Sequence, residues 1–295
     1  MRPVLAVLAA GVFAVSVSSI LVRMAQTEGV PSMAIATWRV ILASVLLLCI
    51  WMLRRPARSV AWPMSTKALA CFAGAMLAAH FILWIVALES LSIAVCAALL
   101  ATNPVWVGLA AWFWMGERSK PLAWLGVAVT VFACLGLVFV ARTQSAFAGS
   151  AAGAWLALGS AFSFSGYILC GRRLRAHVGL SLYFLVVTLV AALVSWLTCV
   201  LLDVPMTGFS ATAWWCLAGL AAIPHVIGHG ALNWAARRMP ATPVATVTLA
   251  EPLCAAALAW ALLGEKIRPT EIPVFLALLA GIALVVWSTR KEAEQ

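Results

Sequence analysis

Charged residues are scarce in this chain. They make up 9% of its 295 residues, and only 9 are Asp or Glu. A soluble domain carries roughly 25% charged residues and about 45–50% apolar ones, whereas 65% of this sequence is hydrophobic. No single soluble core could bury so much apolar surface. The composition therefore excludes an ordinary water-soluble protein and predicts one that has a lipid bilayer as its solvent.

Several sequence signatures are also missing. The 8 cysteines form no CxxC pair, so we predict neither a disulfide framework nor a cysteine metal site. No G-x-x-x-x-G-K-[ST] motif is present, which argues against direct ATP drive by this chain. The net charge of +10 comes from Lys and Arg residues in short loops, where they report orientation rather than a nucleic-acid partner. We expect no metal, no cofactor and no catalytic residue.

Ten apolar stretches each approach the length of about 20 residues that a membrane-spanning helix needs. Short polar breaks separate them, and no break is long enough for an extramembrane domain. The sequence therefore predicts an all-α integral membrane protein with ten transmembrane helices. The predicted spans 1 to 10 cover residues 4–22, 33–53, 68–88, 93–115, 121–141, 151–170, 181–201, 213–236, 241–263 and 271–289.

The basic residues orient these spans. If the N-terminus is cytoplasmic, 14 of the Lys and Arg residues fall on the cytoplasmic side and 4 on the other side. Basic residues concentrate in cytoplasmic loops, so both termini are predicted to be cytoplasmic. The residues on the other side are Arg23, Arg142, Lys266 and Arg268.

Two segments of the chain repeat one another without gaps at an offset of 148 residues. Residues 102–121 read TNPVWVGLAAWFWMGERSKP, and residues 250–269 read AEPLCAAALAWALLGEKIRP. A proline, an Ala-Trp pair and a Gly-Glu turn followed by a basic residue coincide. A weaker echo at an offset of 149 residues links span 1 to span 6, for example Ser16 to Ser165.

The repeat determines how the two halves are related. Its second copy follows five spans after the first, and because five is odd, the halves must cross the membrane in opposite directions. Such a 5+5 inverted-topology repeat is a recurring architecture of secondary transporters, since two inverted halves can expose one central site to each side in turn. The inversion also explains why Lys266 and Arg268 lie on the side that has few basic residues.

With ten spans, two copies of P-x(11)-G-E-[KR] and short basic loops, the chain resembles the drug/metabolite transporter superfamily in its EamA branch. The resemblance covers two five-span units, 7–141 and 151–289, and leaves 290–295 as a cytoplasmic tail. It implies a bacterial inner-membrane protein that exports amino acids or other small metabolites. It also implies a central cavity lined by spans 1–4 and 6–9. Within this branch, the many Trp residues resemble those of members that export aromatic amino acids.

Polar residues at membrane depth mark the candidate site, because they are costly in hydrocarbon and usually face the bundle interior. Glu251 precedes Pro252 in span 9, and its repeat equivalent Asn103 precedes Pro104 in span 4. Proline removes a backbone hydrogen bond and kinks a helix, and Pro224 is expected to loosen span 8 in the same way. A carboxylate beside a kink could bind an ammonium group or carry a proton. Alternatively, Glu251 stays protonated and forms a hydrogen bond to a neighbouring helix, and the Asn103 amide only bridges helices.

Histidines form the second group of candidates. His80 precedes Trp84 by one turn in span 3, and in span 8 His225, His229 and Asn233 recur every four residues on one stripe. We predict that these rings line the cavity, where a histidine could exchange protons near neutral pH. The alternatives are buried, hydrogen-bonded histidines or, with a further ligand, a metal site.

Small polar residues in spans 1 and 6 complete the candidates. Ser16, Ser165 and Tyr167 could touch a substrate, although serines between membrane helices often only let the backbones approach. Arg39 lies about two turns into span 2 from the outer surface, and we expect it to snorkel outward or to pair with a carboxylate. A third interpretation is that it holds a substrate carboxylate.

Together these features predict a secondary transporter that works by alternating access. Its partners would be a small-molecule substrate and the lipid bilayer, and a monomer would suffice. Proton exchange and facilitated diffusion both remain open as the driving mode. One alternative is a transporter of the same superfamily for other solutes, such as drugs or nucleobase-type metabolites. Another is an intramembrane enzyme acting on lipid, but its acid–base groups should gather at one interface, whereas these candidates lie near mid-depth.

Overall fold

The structure, a computed structural model, is helical. Its helices and short connections contain no strand in the part of the chain that it describes. Helices suit a long apolar chain, because each one satisfies its own backbone hydrogen bonds where no water is available. The described residues are 2–54, 62–115, 121–143, 151–174, 178–235, 250–265, 269–270 and 272–293.

The helices confirm the ten predicted spans and correct some of their ends. Span 9 is described from Ala250 onward, so its predicted residues 241–249 lie outside the described ranges. In spans 1 to 5 the helices are Arg2–Ser16 and Ser18–Thr27, Ser32–Arg54, Met64–Ala87, Ile93–Leu100 and Asn103–Met115, and Pro121–Thr143. In spans 6 to 10 they are Ala151–Leu174, Leu180–Leu201, Ala211–Leu220 with Ala221–His229 and Gly230–Ala235, Glu251–Leu263, and Ile272–Ala293.

Length and composition support a membrane location for these helices. Among the described residues, 7 helical stretches are long and apolar enough to cross a membrane, and they correspond to spans 1–4 and 6–8. Spans 5, 9 and 10 contain the shorter apolar stretches Trp124–Ala133, Glu251–Leu263 and Ile272–Leu284. Large apolar side chains such as Phe132 and Trp215 are exposed on the outside of the bundle, where a bilayer would cover them.

The prolines of the repeat stand at the start of helices. In span 4, a two-residue turn separates the helix Ile93–Leu100 from a second helix that begins at Asn103, directly before Pro104. The described helix of span 9 likewise begins at Glu251, directly before Pro252. Proline suits the first turn of a helix, where no backbone donor is needed and its fixed φ is already helical. Pro104 therefore begins a second half-helix of span 4 instead of kinking a continuous one, and Pro252 lies in the first turn of the described helix of span 9.

Span 8 is wound differently from the other spans. Its middle segment, Ala221–His229, is a π-helix between two α-helices. Pro224 lies inside it and lacks the N–H that an α-helix would use, while its ring crowds the preceding turn. A wider π turn accommodates both effects, and such segments are frequent at functional sites. The sequence predicts a disturbance at Pro224 but not a change of winding over 9 residues.

The two halves pack with the twofold relation that an inverted repeat requires. Span 1 packs on span 8, and its equivalent span 6 packs on span 3, which is the equivalent of span 8. Span 1 contacts span 9 as span 6 contacts span 4, and span 2 contacts span 8 as span 7 contacts span 3. Spans 2 and 7, 4 and 9, and 5 and 10 each pack on their own equivalents.

Glycine lets spans 1 and 8 approach closely. A Cβ atom built on Gly228 would lie 2.7 Å from Cγ2 of Val15 and 3.4 Å from the carbonyl oxygen of Gly11. A Cβ atom on Gly11 would lie 2.8 Å from the Cβ of Ala231. A Cβ atom on Gly230, by contrast, would meet nothing within 4 Å. Gly228 is therefore required for close packing of the helices, whereas Gly230 is not.

We expect Gly228→Ala to lower the melting temperature of the purified protein, because the added methyl group must displace Val15 and span 1. Overpacking of this kind costs about 1–3 kcal/mol. Gly230→Ala, on the same span, is the matched control and should leave the melting temperature unchanged or raise it slightly. Thermal unfolding in detergent measures the difference. Equal melting temperatures for the two variants would contradict the proposed role of Gly228.

Candidate functional site

Aromatic and imidazole rings from spans 3, 6 and 8 converge inside the bundle. The ring centroid of Phe81 lies 5.4 Å from that of His225 and 5.8 Å from that of His229. The centroid of Phe164 lies 4.7 Å from that of His80 and 6.0 Å from that of His229. All three histidines are buried. We call these five side chains the central ring cluster.

Span 6 holds the His80 ring in one tautomer. Nδ1 of His80 lies 2.8 Å from Oγ of Ser160 and 3.2 Å from the Ser160 carbonyl oxygen. The Ser160 hydroxyl donates to the His80 carbonyl oxygen at 2.9 Å. Because that hydroxyl proton is already used, Nδ1 is the donor, and the neutral ring presents Nε2 as an acceptor. The predicted neighbour Trp84 stacks on the imidazole with ring centroids 6.4 Å apart.

Span 7 holds the His225 ring in the opposite tautomer. Oγ1 of Thr188 donates to the Phe184 carbonyl oxygen at 2.8 Å, so at 3.3 Å it accepts from Nε2 of His225. Nδ1 is then the acceptor of the neutral ring, and it has no hydrogen-bond partner in the described part of the chain. The cluster therefore contains a buried, unused acceptor, which calls for an explanation.

The predicted stripe on span 8 continues beyond the cluster. Nδ2 of Asn233 donates to the His229 carbonyl oxygen at 2.9 Å and to the Tyr167 hydroxyl at 3.3 Å. The ring of Tyr167 lies 5.7 Å from that of Phe164 and stacks on that of Tyr183 at 6.4 Å. Tyr167 and Asn233 thus adjoin the central ring cluster. No group of three His, Cys, Asp or Glu side chains among the described residues could hold a metal ion.

Two serine contacts between the halves are copies of one another. Each hydroxyl proton goes to the carbonyl oxygen four residues earlier in its own helix, at 2.9 Å for Ser16 and 2.8 Å for Ser165. Oγ of Ser16 also lies 3.4 Å from the Glu251 carbonyl oxygen, and Oγ of Ser165 lies 3.2 Å from the Asn103 carbonyl oxygen. The two serines are repeat equivalents, and so are the two residues that they approach. Each contact brings one half of the protein against the first residue of a helix in the other half. Oδ1 of Asn103 is buried and has no partner within the described ranges.

Arg39 points inward from span 2. Its side chain is 1% exposed, and its guanidinium carbon lies 4.0 Å from the ring centroid of Phe81 and 5.5 Å from that of Trp84. Nη1 donates to Oγ of Ser18 at 2.7 Å. Glu251 acts electrostatically on Arg39, but the two residues form no ion pair. The expectation that Arg39 snorkels outward is wrong, because aromatic faces and the Ser18 hydroxyl stabilise the cation inside the bundle.

Arg23 joins the two halves at the membrane surface where spans 1 and 9 end. Its Nε donates to Oε1 of Glu265 at 3.0 Å, and its Nη2 donates to the Leu91 carbonyl oxygen at 2.8 Å. Its Nη1 donates to the Leu88 carbonyl oxygen. Oε2 of Glu265 accepts from the Ile93 N–H at 2.9 Å. We call these five residues the Arg23 clamp.

The Gly-Glu turn of the repeat now has a structural explanation. Gly264 ends the span 9 helix with a φ of +69°, a left-handed conformation that residues other than glycine rarely adopt. The next residue, Glu265, can then reach Arg23 on span 1. The first copy of the turn, Gly116-Glu117, lies outside the described residues.

The sequence reveals the polar members of the site but not its walls. Ser160, which orients His80, is not among the predicted residues, and neither are Phe81 and Phe164. In an apolar span, the sequence does not distinguish a phenylalanine that lines the site from one that only packs against other helices. Ser160 is one of several serines on span 6, and only its partner in span 3 distinguishes it. Arg39 is visible in the sequence, but its inward direction is not.

Comparisons with known proteins agree with this architecture. Residues 2–139 and 151–287 match the EamA-like transporter family. The uncharacterized transporter YwfM of Bacillus subtilis is 23% identical over 272 residues, which cover 90% of this chain and 88% of that protein. A probable 4-amino-4-deoxy-L-arabinose-phosphoundecaprenol flippase subunit, ArnE of Salmonella typhimurium, is 39% identical over 64 residues, which cover 22% of this chain and 53% of that protein.

A solved crystal structure of a protein also superposes on this chain, with a TM-score of 0.68 at 16% sequence identity. The superposition covers 96% of this chain and 97% of the other. At that identity the likeness establishes the fold alone. The two family matches lie in tandem and together cover most of the sequence, as a duplicated five-span unit requires. The chain therefore belongs to the EamA-like transporter family.

Proposed function

We propose that this protein exports small metabolites, foremost amino acids with aromatic or other apolar side chains, by alternating access. The observation that carries the proposal is a buried cation, Arg39, whose guanidinium carbon lies 4.0 Å from the ring centroid of Phe81 in the central ring cluster and which interacts electrostatically with the acid Glu251. Charged groups at membrane depth are costly and mark substrate paths. Family membership supports transport of a solute, and the choice of solute is inferred from these side chains.

The central ring cluster favours an apolar or aromatic substrate. Faces of Phe81 and Phe164 offer surfaces on which a planar side chain could stack. The unused acceptor of His225 adds a hydrogen bond with a defined direction, as is common in small-molecule sites that are otherwise apolar.

We further propose that the protein lies in the bacterial inner membrane with both termini in the cytoplasm. The support is the uneven distribution of Lys and Arg, of which 14 fall on one side of the predicted spans and 4 on the other. In this orientation the Arg23 clamp lies on the outer side.

A lipid-linked sugar is a second candidate substrate. Its support is the similarity to the probable flippase subunit, whose name includes a phosphoundecaprenol. That match involves only 22% of this chain. The charged side chains of the site also argue against a phosphate. Phosphates are usually bound by several cationic donors, whereas this site has one cation, Arg39, together with one acid, Glu251. An intramembrane enzyme is less well supported, because the chain belongs to a family of transporters.

Counterflow in proteoliposomes tests the proposed function. Purified protein is reconstituted, the liposomes are loaded with an unlabelled amino acid, and entry of the same radiolabelled amino acid is followed. The panel contains aromatic, aliphatic and charged amino acids. We expect saturable entry of at least one aromatic amino acid above the level of protein-free liposomes, with the solute chemically unchanged. If no member of the panel moves, the amino acid assignment is wrong, although the family assignment stands.

His80→Ala should reduce this counterflow about threefold to tenfold, because it removes the ring that stacks on Trp84 and packs against Phe164. Ser44→Ala is the matched control. Ser44 is also buried, but its hydroxyl donates only to the Val40 carbonyl oxygen of its own span in the described structure. Initial rates at a fixed amount of folded protein measure the effect. Equal initial rates for the two variants would show that His80 does not contribute to the substrate site.

A further inference from the structure

We propose that Arg39 recognises the carboxylate of the substrate and that Glu251 faces its ammonium group, so that the site selects zwitterions. This inference rests on the proposed function, because it states which part of an amino acid each residue binds. It goes beyond that function by assigning the two charged groups of the substrate to two named side chains.

Most hydrogen-bond donors of the Arg39 guanidinium have no acceptor among the residues that the structure describes. Arginine carries five N–H donors in a planar fork, and in the described residues Arg39 has one hydrogen bond, from Nη1 to Ser18. Its Nε is buried without a partner in that same part of the chain. The ion pair found among the described residues is the one between Arg23 and Glu265. A buried charge without a direct partner is strongly destabilising, so an anion from outside the protein would complete the site.

A carboxylate fits this cation better than a phosphate does. Its two oxygens can accept two parallel hydrogen bonds from one guanidinium edge, and the free Nε lies on such an edge. Among the described Lys and Arg residues, Arg39 is the cation that acts on His80, His225 and His229. One fixed cation balances one carboxylate, whereas a phosphate with up to two negative charges would leave an excess.

Glu251 explains why the ligand should also carry a positive charge. Span 1 brings Glu251 near Arg39, because Oγ of Ser16 lies 3.4 Å from the Glu251 carbonyl oxygen and Oγ of Ser18 accepts from Arg39. The two residues interact electrostatically without an ion pair, so an ionised Glu251 presents a separate charge of opposite sign. A net-neutral ligand that carries both charges leaves this arrangement balanced. A carboxylate or an amine alone would satisfy one residue and leave the other unpaired in a site of low dielectric.

Phe81 links the charged and apolar parts of the site. One face of its ring covers the Arg39 guanidinium at 4.0 Å, and the same ring lies 5.4 Å from His225. The free donor of Arg39 and the free acceptor Nδ1 of His225 therefore lie around one aromatic side chain. A ligand with an acceptor group, a donor group and an apolar side chain matches these three features.

Competition on the wild-type protein is the first test. Counterflow of radiolabelled L-phenylalanine is measured with unlabelled L-phenylalanine, 3-phenylpropionate or phenethylamine outside. The three compounds share the aromatic ring and differ in their charged groups. We expect L-phenylalanine to inhibit at about tenfold lower concentration than either analogue. Equal potency of phenethylamine and L-phenylalanine would overturn the role of a carboxylate.

Substitution of Arg39 is the second test. Arg39→Lys keeps the charge without the planar fork, and Arg39→Gln removes the charge. We expect both to weaken inhibition by 3-phenylpropionate about tenfold or more, while inhibition by phenethylamine changes less than about twofold. Ser44→Ala, five residues along the same span, is the control and should match the wild type. Because a variant that fails to fold gives no counterflow, thermal stabilisation of the purified variants by each compound is measured as well.

The outcomes separate the two proposals. If the wild type carries no amino acid, the proposed function and the role of Arg39 both fail. If the wild type carries L-phenylalanine and both Arg39 variants respond to all three compounds as the wild type does, the transport assignment stands and Arg39 is not the carboxylate site. Loss of the response to the acid alone, with the response to the amine retained, supports the inference.

Discussion

Glu265→Gln is expected to make Cys96 reactive toward a membrane-impermeant maleimide, with labelling at least about tenfold faster than in the parent protein. Cys96 is 0% exposed in the structure, and both Arg23 and Glu265 act on it electrostatically. Glu265 accepts from the N–H of Ile93, the first residue of the helix that carries Cys96, so we expect that loss of the Arg23 clamp lets this helix move and uncovers the thiol. Charge-assisted hydrogen bonds are each worth about 1.5–3 kcal/mol, and a shift of about 1.4 kcal/mol toward an open state raises its population about tenfold.

This experiment needs a background in which Cys96 is the single cysteine, with the others replaced by alanine. Label is added to cells or to right-side-out vesicles, so that reaction reports opening toward the outside. Glu28→Gln is the matched control. Glu28 lies at the end of the same span 1 and accepts a hydrogen bond from Ser210, but it takes no part in the Arg23 clamp. If Cys96 is as unreactive in Glu265→Gln as in the parent, the clamp does not close the outer side.

Glu251→Gln is expected to abolish uptake driven by a pH gradient while leaving counterflow reduced but measurable, because the amide oxygen can still accept a hydrogen bond from the substrate ammonium group. A glutamine keeps the size of the residue but cannot take up or release a proton. Carboxylates inside membrane proteins commonly form part of proton paths, and Glu251 starts the span 9 helix at the place where Ser16 of the other half approaches it. Accumulation against a concentration gradient should therefore fall to the level reached without a pH gradient.

Proteoliposomes with a stable internal pH and a jump in external pH provide the measurement. Counterflow in the same preparation shows that the variant still moves the substrate. Glu89→Gln is the control, because Glu89 is an acid exposed at the end of span 3 and outside the candidate site. If Glu251→Gln accumulates substrate as the wild type does, Glu251 carries no coupling proton. If the wild type itself does not respond to the pH gradient, the transport is not coupled to protons.

The sequence predicts the fold well because bilayer physics leaves few choices. Ten apolar stretches are visible by length alone, and a gapless repeat with Pro104 and Pro252 in register sets the relation between the halves. What escapes prediction is local winding. The break before Asn103 and the π-helix around Pro224 depend on which backbone hydrogen bonds the neighbouring spans allow. The steric limits of proline alone would permit a kinked α-helix at Pro104 and at Pro224 just as well.

The site is only half visible in the sequence. Buried polar residues such as His80 and His225 stand out in an apolar chain, and the structure places them together. The direction of the Arg39 side chain cannot be inferred from span 2 alone. An arginine near a membrane surface can extend either toward water or toward a partner inside the protein, and both directions are chemically reasonable. Inward rotation becomes favourable only through Phe81 and Ser18, which lie on other spans.

The serine contacts carry a consequence for stoichiometry. Ser16 and Ser165 lie against two backbone positions that are equivalent by the twofold relation, yet one carries the acid Glu251 and the other the amide Asn103. Two identical five-span subunits could only present two acids or none at these positions, since a symmetric dimer duplicates every side chain. Because both units are fused in one polypeptide, the two equivalent positions can differ, and one acid can stand alone. If Glu251 carries the coupling proton, as proposed above, these two positions can exchange one proton in each cycle and not two.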